Sequence, residues 1–162
     1  MLDKIVEKKA LDTKSRIAVV CAGFALMLLG VNTSVWFLNW LAGAQMNMSD
    51  MLLQFWYVPT FREVFFFSVI AAPLWEELAF RVIPIKLGYK IDRLVGGGAL
   101  WLIVALTTLI FGWGHGQGTV SLMLQGYMGL IMALVYMKTG DHYWSSVSVH
   151  ALWNLFVLTV YS

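Results

Sequence analysis

The chain has little charge, almost no cysteine and no repeated segment, and each shortage excludes a class of protein. Charged residues make up 12% of the 162 residues and the formal net charge is only +2, which is too small to predict a nucleic-acid partner. Cys21 is the single cysteine, so a disulfide framework and a thiolate metal site are both excluded. Because internal repeats and low-complexity tracts are also lacking, a repeat-built architecture has no support.

Hydrophobic residues, by contrast, make up 60% of the chain. This proportion is typical of a protein that lies in a lipid bilayer rather than of a soluble domain. The apolar runs predict an all-α fold, a polytopic transmembrane bundle of about five spans that forms one compact domain without a β-sheet. The predicted spans are residues 17–42, 62–86, 99–113, 120–137 and 144–160.

The segments outside these spans are polar or basic. Residues 1–16 mix basic side chains with apolar ones at helical spacing, which predicts a basic segment on the membrane surface or a frayed terminus. Residues 17–162 then form the transmembrane domain. Its first apolar run, of about 25 residues, is too long for the core of a cleaved signal peptide, so we expect a retained helix. Residues 45–60 predict a loop with a short helix at headgroup level.

The basic residues also predict an orientation. Lys and Arg concentrate in the N-terminal segment, in a predicted loop at 86–93 and at Lys138, whereas Arg62 stands alone on the opposite side. Because short cytoplasmic loops carry an excess of Lys and Arg, the first group is expected in the cytoplasm. The sequence therefore predicts a multi-pass protein of the cell membrane with a cytoplasmic N-terminus and an external C-terminus.

One predicted span carries charges in its interior. Residues 62–86 include twelve Val, Ile, Leu and Phe residues, which favour insertion by about 4 to 7 kcal/mol. Glu76, Glu77 and Arg81 oppose insertion by about 8 to 10 kcal/mol if their costs are simply added. Such a helix is tolerated only if other protein groups or trapped water solvate the charges, so we expect them to face the inside of the bundle.

Helical spacing separates the two carboxylates. Glu77 and Arg81 are four residues apart and lie nearly on one line, whereas Glu76 lies about 100 degrees round the helix. Glu77 therefore has a local partner and Glu76 has none, which makes Glu76 the first candidate for a chemically active group. Pro73 is expected to kink this helix and to free a backbone carbonyl that neighbouring groups must satisfy.

Polar side chains of two other spans are predicted close to the same depth. At 1.5 Å of rise per residue, Glu76 and Asn154 each lie about 15 Å from the cytoplasmic side. His150 is one turn from Asn154 on the same face, so both can point at Glu76. His115 lies about 24 Å from that side, and it reaches Glu76 only if the third helix tilts or its glycine-rich end is sunk into the bundle.

A carboxylate, two imidazoles and an amide at one site suit the hydrolysis of an amide bond. A carboxylate and an imidazole can hold a water and take its proton, while an imidazolium or an amide N–H stabilises the developing oxyanion. A purely structural ion-pair cluster, in a non-catalytic membrane scaffold or immunity-type partner protein, is one alternative. A zinc-dependent membrane peptidase is another, although the chain has no His-Glu-x-x-His motif.

The same residues form three motifs in chain order. Glu-Glu-x-x-x-Arg occupies residues 76–81, Phe-x-x-x-His residues 111–115 and His-x-x-x-Asn residues 150–154. In these motifs the sequence resembles the CPBP intramembrane proteases, which include CAAX prenyl endopeptidases and bacteriocin-processing or Abi proteins. The resemblance covers residues 62–160, the expected catalytic core.

The resemblance implies a glutamic-type intramembrane endopeptidase that uses no cofactor and no metal. Its first-motif Glu and second-motif His would activate water, and the third-motif His and Asn would form the oxyanion hole. The implied catalytic residues are Glu76, His115, His150 and Asn154. The implied orienting or structural residues are Glu77, Arg81 and Phe111. The expected partners are the lipid bilayer and a membrane-associated protein or peptide substrate.

Overall fold

The computed structural model describes residues 11–42, 60–116 and 118–161, and within these ranges every regular element is helical. The helices are α1 (Thr13–Ala42), α2 (residues 61–95), α3 (Ala99–Gly114), α4 (Thr119–Lys138) and α5 (Tyr143–Tyr161). The all-helical prediction is confirmed for the described residues. The predictions for residues 1–10 and for most of the 45–60 loop lie outside them, and the last four residues of the predicted interfacial segment belong to α1.

Helix α2 is continuous, but its backbone contains two π-helical turns. It consists of α-helical Phe61–Phe65, π-helical Phe66–Ala71, α-helical Ala72–Glu77, π-helical Leu78–Val82 and α-helical Ile83–Val95. Each π turn closes with an N–H that bonds to the carbonyl five residues earlier. The residue that donates this N–H directly precedes Pro73 in the first turn and Pro84 in the second. Because proline has no N–H, each π turn ends where the next donor is missing. Such turns are rare and often occur at functional sites.

The predicted basic loop at 86–93 is wrong, because α2 continues through it to Val95. Only one residue between Lys86 and Val95, the buried Gly88, disfavours a helix, and the basic side chains lie on an amphipathic surface. The helix ends at Val95, and the next residue, Gly96, has a left-handed φ of +88° that favours glycine. The Asp92 carboxylate then accepts a hydrogen bond from the Leu100 backbone N–H at 3.1 Å, which joins α2 to α3.

Helix α4 is the central helix and contacts each of the other four. With α1 and α5 it forms the larger apolar core, which includes Met27, Val31, Leu124, Met128 and Trp153. With α2 and α3 it forms a smaller core of Ile85, Val104, Ala133 and Tyr136. The helices that carry the three motifs are therefore all held against α4.

The glycine-rich end of α3 lies directly on the α4 backbone. A Cβ atom at Gly112 would come within 2.9 Å of the Gly126 backbone nitrogen, so the approach requires glycine. The Ser121 hydroxyl also donates a hydrogen bond to the Gly112 carbonyl at 2.7 Å. This end of α3 is thus sunk into the bundle, which is the arrangement that His115 needs to approach the other motifs.

Three basic segments lie at one end of the bundle. The Tyr89 hydroxyl near the end of α2 donates to the Asp141 carboxylate in the α4–α5 turn at 3.1 Å. Burial, and then the nearby Arg16 at the start of α1, lower the pKa of His142 in the same turn. The start of α1, the end of α2 and the α4–α5 turn therefore lie together, as the grouping of Lys and Arg predicts.

Two of the described helical segments, Thr13–Trp40 and Thr119–Lys138, are long and apolar enough to cross a membrane. Ala99–Gly114 is apolar but shorter. The bundle of five spans remains a prediction beyond these two.

Candidate active site

A cavity of about 370 Å³ lies between α2, α3, α4 and α5. Its wall includes the four predicted catalytic side chains, Glu76, His115, His150 and Asn154. The structure therefore brings together residues of all three motifs, although they come from three helices and are far apart in the sequence.

Glu76 faces this cavity. Its side chain is 23% exposed, and Oε2 lies 3.7 Å from Nε2 of His150. This distance is too long for a hydrogen bond, and in the described part of the chain the Glu76 Oε2 atom is buried without a hydrogen-bond partner. The exposed part of the side chain, and not this buried oxygen, is therefore the part that can meet a water molecule or a substrate group.

Glu77 lies about 100 degrees round α2 from Glu76 and is fully buried. Its Oε1 atom lies 2.8 Å from Nδ1 of His150. Because a carboxylate accepts this hydrogen bond, we assign the ring proton to Nδ1, and Nε2 then faces Glu76. Both carboxylates therefore contact one imidazole, and its short bond is to Glu77 rather than to Glu76.

Arg81 is a buried cation beside Glu77. Its Nη1 atom lies 3.5 Å from Glu77 Oε1, which is the contact that their i,i+4 spacing predicts. The guanidinium lies 4.1 Å from the centre of the Phe111 ring, and its Nη2 atom lies 3.5 Å from the sulfur of Met132. A carboxylate and an aromatic face thus stabilise the charge away from water.

His115 caps the end of α3 and also contacts Phe111. Its Nδ1 atom lies 2.7 Å from the Phe111 carbonyl, which only accepts, so we assign the proton of the neutral ring to Nδ1 and the lone pair to Nε2. The two ring centres are 4.6 Å apart, and the Phe111 ring centre is also 6.1 Å from that of His150. Phe111 therefore lies between Arg81 and both histidines, where it fixes their spacing.

Asn154 is held by the backbone of α2. Its Nδ2 atom donates to the Ser68 carbonyl at 2.7 Å, and both residues line the cavity. The amide has two N–H groups, so this bond fixes its orientation and leaves a second donor. The amide is thus held by the first π turn rather than by Glu76.

Sequence reasoning missed three features of this site. Gln125 of α4 lines the cavity, and the signal was a polar amide within an apolar span. Ser68 also lines it, but one serine in an apolar run carries no signal. The bond between Glu77 and His150 depends on how α2 and α5 are rotated, which spacing within one helix does not determine.

The arrangement suits the activation of water. A partly exposed carboxylate and an imidazole whose Nε2 is an acceptor line the same cavity as a second imidazole and an amide donor. Among the described residues, no three His, Cys, Asp or Glu side chains form a group that could hold a metal ion.

Comparison with known proteins gives one match. The family model for Rce1-like proteins, type II CAAX prenyl endopeptidases, matches residues 56–156, which is more than half of the chain and includes all three motifs. No curated protein and no solved structure matches the chain.

Proposed function

The chain belongs to the Rce1-like family of type II CAAX prenyl endopeptidases, and on that premise we propose that it is a glutamic intramembrane endopeptidase. Its substrate is a membrane-associated protein or peptide, in which it hydrolyses one peptide bond. Glu76 and His115 activate the water, and His150 and Asn154 stabilise the oxyanion.

One observation carries this proposal: Glu76 alone of the two adjacent carboxylates faces a cavity that also contains the other motif side chains. The Glu77 side chain is fully buried and is occupied by His150 and Arg81. Because a general base must reach the water from which it takes a proton, Glu76 is the carboxylate suited to this role.

The reaction needs one water and no other co-reactant. Glu76 takes one proton from the water, and the second O–H of the water donates a hydrogen bond to Nε2 of His115. The water oxygen then attacks the carbonyl carbon of the substrate. Asn154 and a protonated Nε2 of His150 donate to the oxygen that becomes negative. The C–N bond then breaks as Glu76 returns the proton to the leaving nitrogen, which yields a carboxylic acid and an amine.

Glu77 supports this step by holding His150. Its bond to Nδ1 fixes the ring so that Nε2 faces the cavity, and its negative charge balances an imidazolium. Arg81 and Phe111 in turn hold the Glu77 carboxylate and the His115 ring in place.

The bundle spans the cell membrane with its basic end in the cytoplasm. The start of α1, the end of α2 and the α4–α5 turn lie at that end, and the positive-inside rule applies to such segments. Two helices are long and apolar enough to span. Reporter fusions at positions 90 and 140 should give cytoplasmic signals, and a fusion at 117 an external signal; the reverse pattern would invert this orientation.

The test of the mechanism is cleavage by Glu76→Gln. Membrane proteomes of cells with wild-type protein and with this variant are compared, and a peptide that only the wild type cleaves is then incubated with each purified protein in vesicles. We expect the variant to cleave about 10² to 10⁴ times more slowly, because it lacks the base but keeps the shape of the side chain.

Glu63→Gln is the matched control. It makes the same chemical change on the same helix, at an exposed carboxylate that accepts a hydrogen bond from Thr60. It should cleave at the wild-type rate, as should the wild type in the presence of strong chelators. A wild-type cleavage rate in Glu76→Gln would refute the glutamate base. Loss of cleavage in the presence of chelators, restored by added zinc, would favour a metallopeptidase. Identical proteomes with wild-type protein and with the variant would favour a scaffold protein.

A further inference from the structure

The Ser68 carbonyl has lost both of the backbone donors that a helix offers it. In an α-helix its donor is the N–H of Ala72, but in the first π turn that N–H bonds to the Phe67 carbonyl instead. In the π register its donor is residue 73, which is a proline and has no N–H. The carbonyl is therefore open to a donor from outside the helix.

Asn154 of α5 provides that donor. Its Nδ2 atom lies 2.7 Å from the Ser68 oxygen, and both residues are in the wall of the cavity. The bond thus ties the amide of the third motif to a site that exists only because the π turn and Pro73 are adjacent.

We propose that Pro73, acting through the π turn at 66–71, is a positioning residue that holds the Asn154 amide in the cavity with one N–H directed at the substrate. This inference rests on the proposed role of Asn154 in the oxyanion hole. Pro73 itself is buried and does not line the cavity, so its effect passes through the Ser68 carbonyl.

Pro73→Ala restores a backbone N–H at position 73 without removing any group that touches the substrate. If the π turn persists, the new N–H at position 73 bonds to the Ser68 carbonyl; if the turn relaxes to α-helix, the Ala72 N–H does so. Either change gives the carbonyl a backbone donor that competes with Asn154. The variant should be at least as heat-stable as the wild type, because alanine is favoured over proline inside a helix.

The kinetic test is a double-mutant cycle of Pro73→Ala and Asn154→Ala. Pro73→Ala should lower kcat about tenfold with KM nearly unchanged, since it misplaces a donor that acts in the transition state. In the Asn154→Ala background the same change should alter kcat less than about twofold, because there is no amide left to misplace. Equal effects in both backgrounds would overturn the inference.

Pro84→Ala is the matched control. Pro84 follows the second π turn as Pro73 follows the first, but the carbonyl that it leaves without a backbone donor belongs to Ala79, which is not among the described residues that line the cavity. It tests whether any proline removed from α2 slows the enzyme. A fall in kcat as large as that of Pro73→Ala would overturn the specific role of Pro73.

A spectroscopic test needs no substrate. The chain has four asparagines, so ¹⁵N-asparagine labelling gives few side-chain amide signals, and Asn154→Ala identifies the one of interest. In Pro73→Ala this signal should shift and its protons should exchange with water at least about tenfold faster, while Pro84→Ala should leave it in place. An unmoved Asn154 signal in Pro73→Ala would overturn the inference whatever the activity. A moved signal with unchanged cleavage in both Pro73→Ala and Asn154→Ala would uphold the placement and overturn the oxyanion role in the proposed function.

Discussion

The adjacent carboxylates of Glu76 and Glu77 on α2 differ in their exposure and in their contacts. On the interior side, Glu77 is fully buried between Arg81 at 3.5 Å and His150 at 2.8 Å. On the cavity side, Glu76 is 23% exposed, and its Oε2 atom lies 3.7 Å from His150. The same imidazole therefore faces both, but its short contact, at 2.8 Å, is to the interior carboxylate.

This difference shows how one helix can place a fully buried carboxylate next to a partly exposed one, which the proposed function uses as its base. The interior carboxylate balances a buried guanidinium, and a buried charge left without its partner is expensive. The cavity carboxylate belongs to a side chain that is 23% exposed and lines the cavity, which gives water the access that a base requires. Rotation by one residue, about 100 degrees, is enough to change the surroundings of the side chain.

The largest expected effect is on stability and should distinguish the two sides directly. Glu77→Gln leaves Arg81 buried without a negative partner, so we expect a loss of about 3 to 5 kcal/mol in the free energy of unfolding. Glu76→Gln should lose little or nothing, because this carboxylate holds no buried cation by a short contact. Unfolding of both purified variants by denaturant in the same detergent measures the difference.

Equal losses in the two variants would break the comparison. The cleavage rate gives a second comparison of the two variants. Glu76→Gln should be folded and inactive, whereas any Glu77→Gln protein that remains folded should retain part of its cleavage rate.

Much of this arrangement follows from the sequence. Three charges within an apolar run must face inward, and the i,i+4 spacing of Glu77 and Arg81 predicts their contact, which the structure contains. Counting helical rise also places Glu76 and Asn154 at one depth, and the structure places both at one cavity. These inferences need only the geometry of a single helix.

The remaining features depend on relations between helices. His115 appears too distant when residues are counted along a straight helix, but the close contact of Gly112 with Gly126 lets α3 enter the bundle. The charge of residues 86–93 predicts a loop, although Gly88 is the only residue there that disfavours a helix and the segment is helical to Val95. The expected effect of Pro73 takes the form of a π turn, and its freed carbonyl bonds to Asn154, a partner that no local pattern identifies.

A smaller effect should come from crowding the interior side alone. In Gly129→Ala the new Cβ would lie 2.9 Å from Cδ1 of Phe111 and 3.0 Å from Nη2 of Arg81. Both groups are buried, so we expect a loss of about 1 to 3 kcal/mol in the free energy of unfolding. The control is Gly126→Ala on the same helix, whose Cβ would meet only the Thr108 carbonyl at 3.7 Å. If the control is as unstable as Gly129→Ala, the loss does not come from the interior side.

A still smaller effect tests how α5 is fixed to α2. The Tyr143 hydroxyl donates to the Leu74 carbonyl at 2.7 Å, three residues before Glu77. Tyr143→Phe removes this bond and should cost about 0.6 kcal/mol, the average for an interhelical hydrogen bond in a bilayer. Tyr89→Phe, which loses a 3.1 Å bond to Asp141 at the basic end, is the comparison. A loss from Tyr143→Phe above that of Gly129→Ala would show that this contact, rather than the buried ion pair, dominates.

The smallest effect is the contribution of His142 to the pH dependence of stability. It must be measured before any pH profile of cleavage is assigned to the two carboxylates. Burial, and next Arg16, lower the pKa of His142 in the α4–α5 turn, so the unfolded chain takes up this proton at a higher pH than the folded protein. Its contribution to stability is therefore complete above about pH 6.5, the usual pKa of histidine, and is lost as the pH falls through the lower folded pKa.

His142→Asn removes this titration and keeps a side chain that is favoured at the start of a helix, where His142 Nδ1 lies 2.9 Å from the Ser145 hydroxyl. Between pH 8 and pH 5.5 the wild-type Tm should fall slightly more than that of the variant, because His142 is partly exposed and its shift is modest. Parallel falls in the two proteins would mean that the pH dependence arises elsewhere, and the carboxylates on the two sides of α2 would then be the next groups to test.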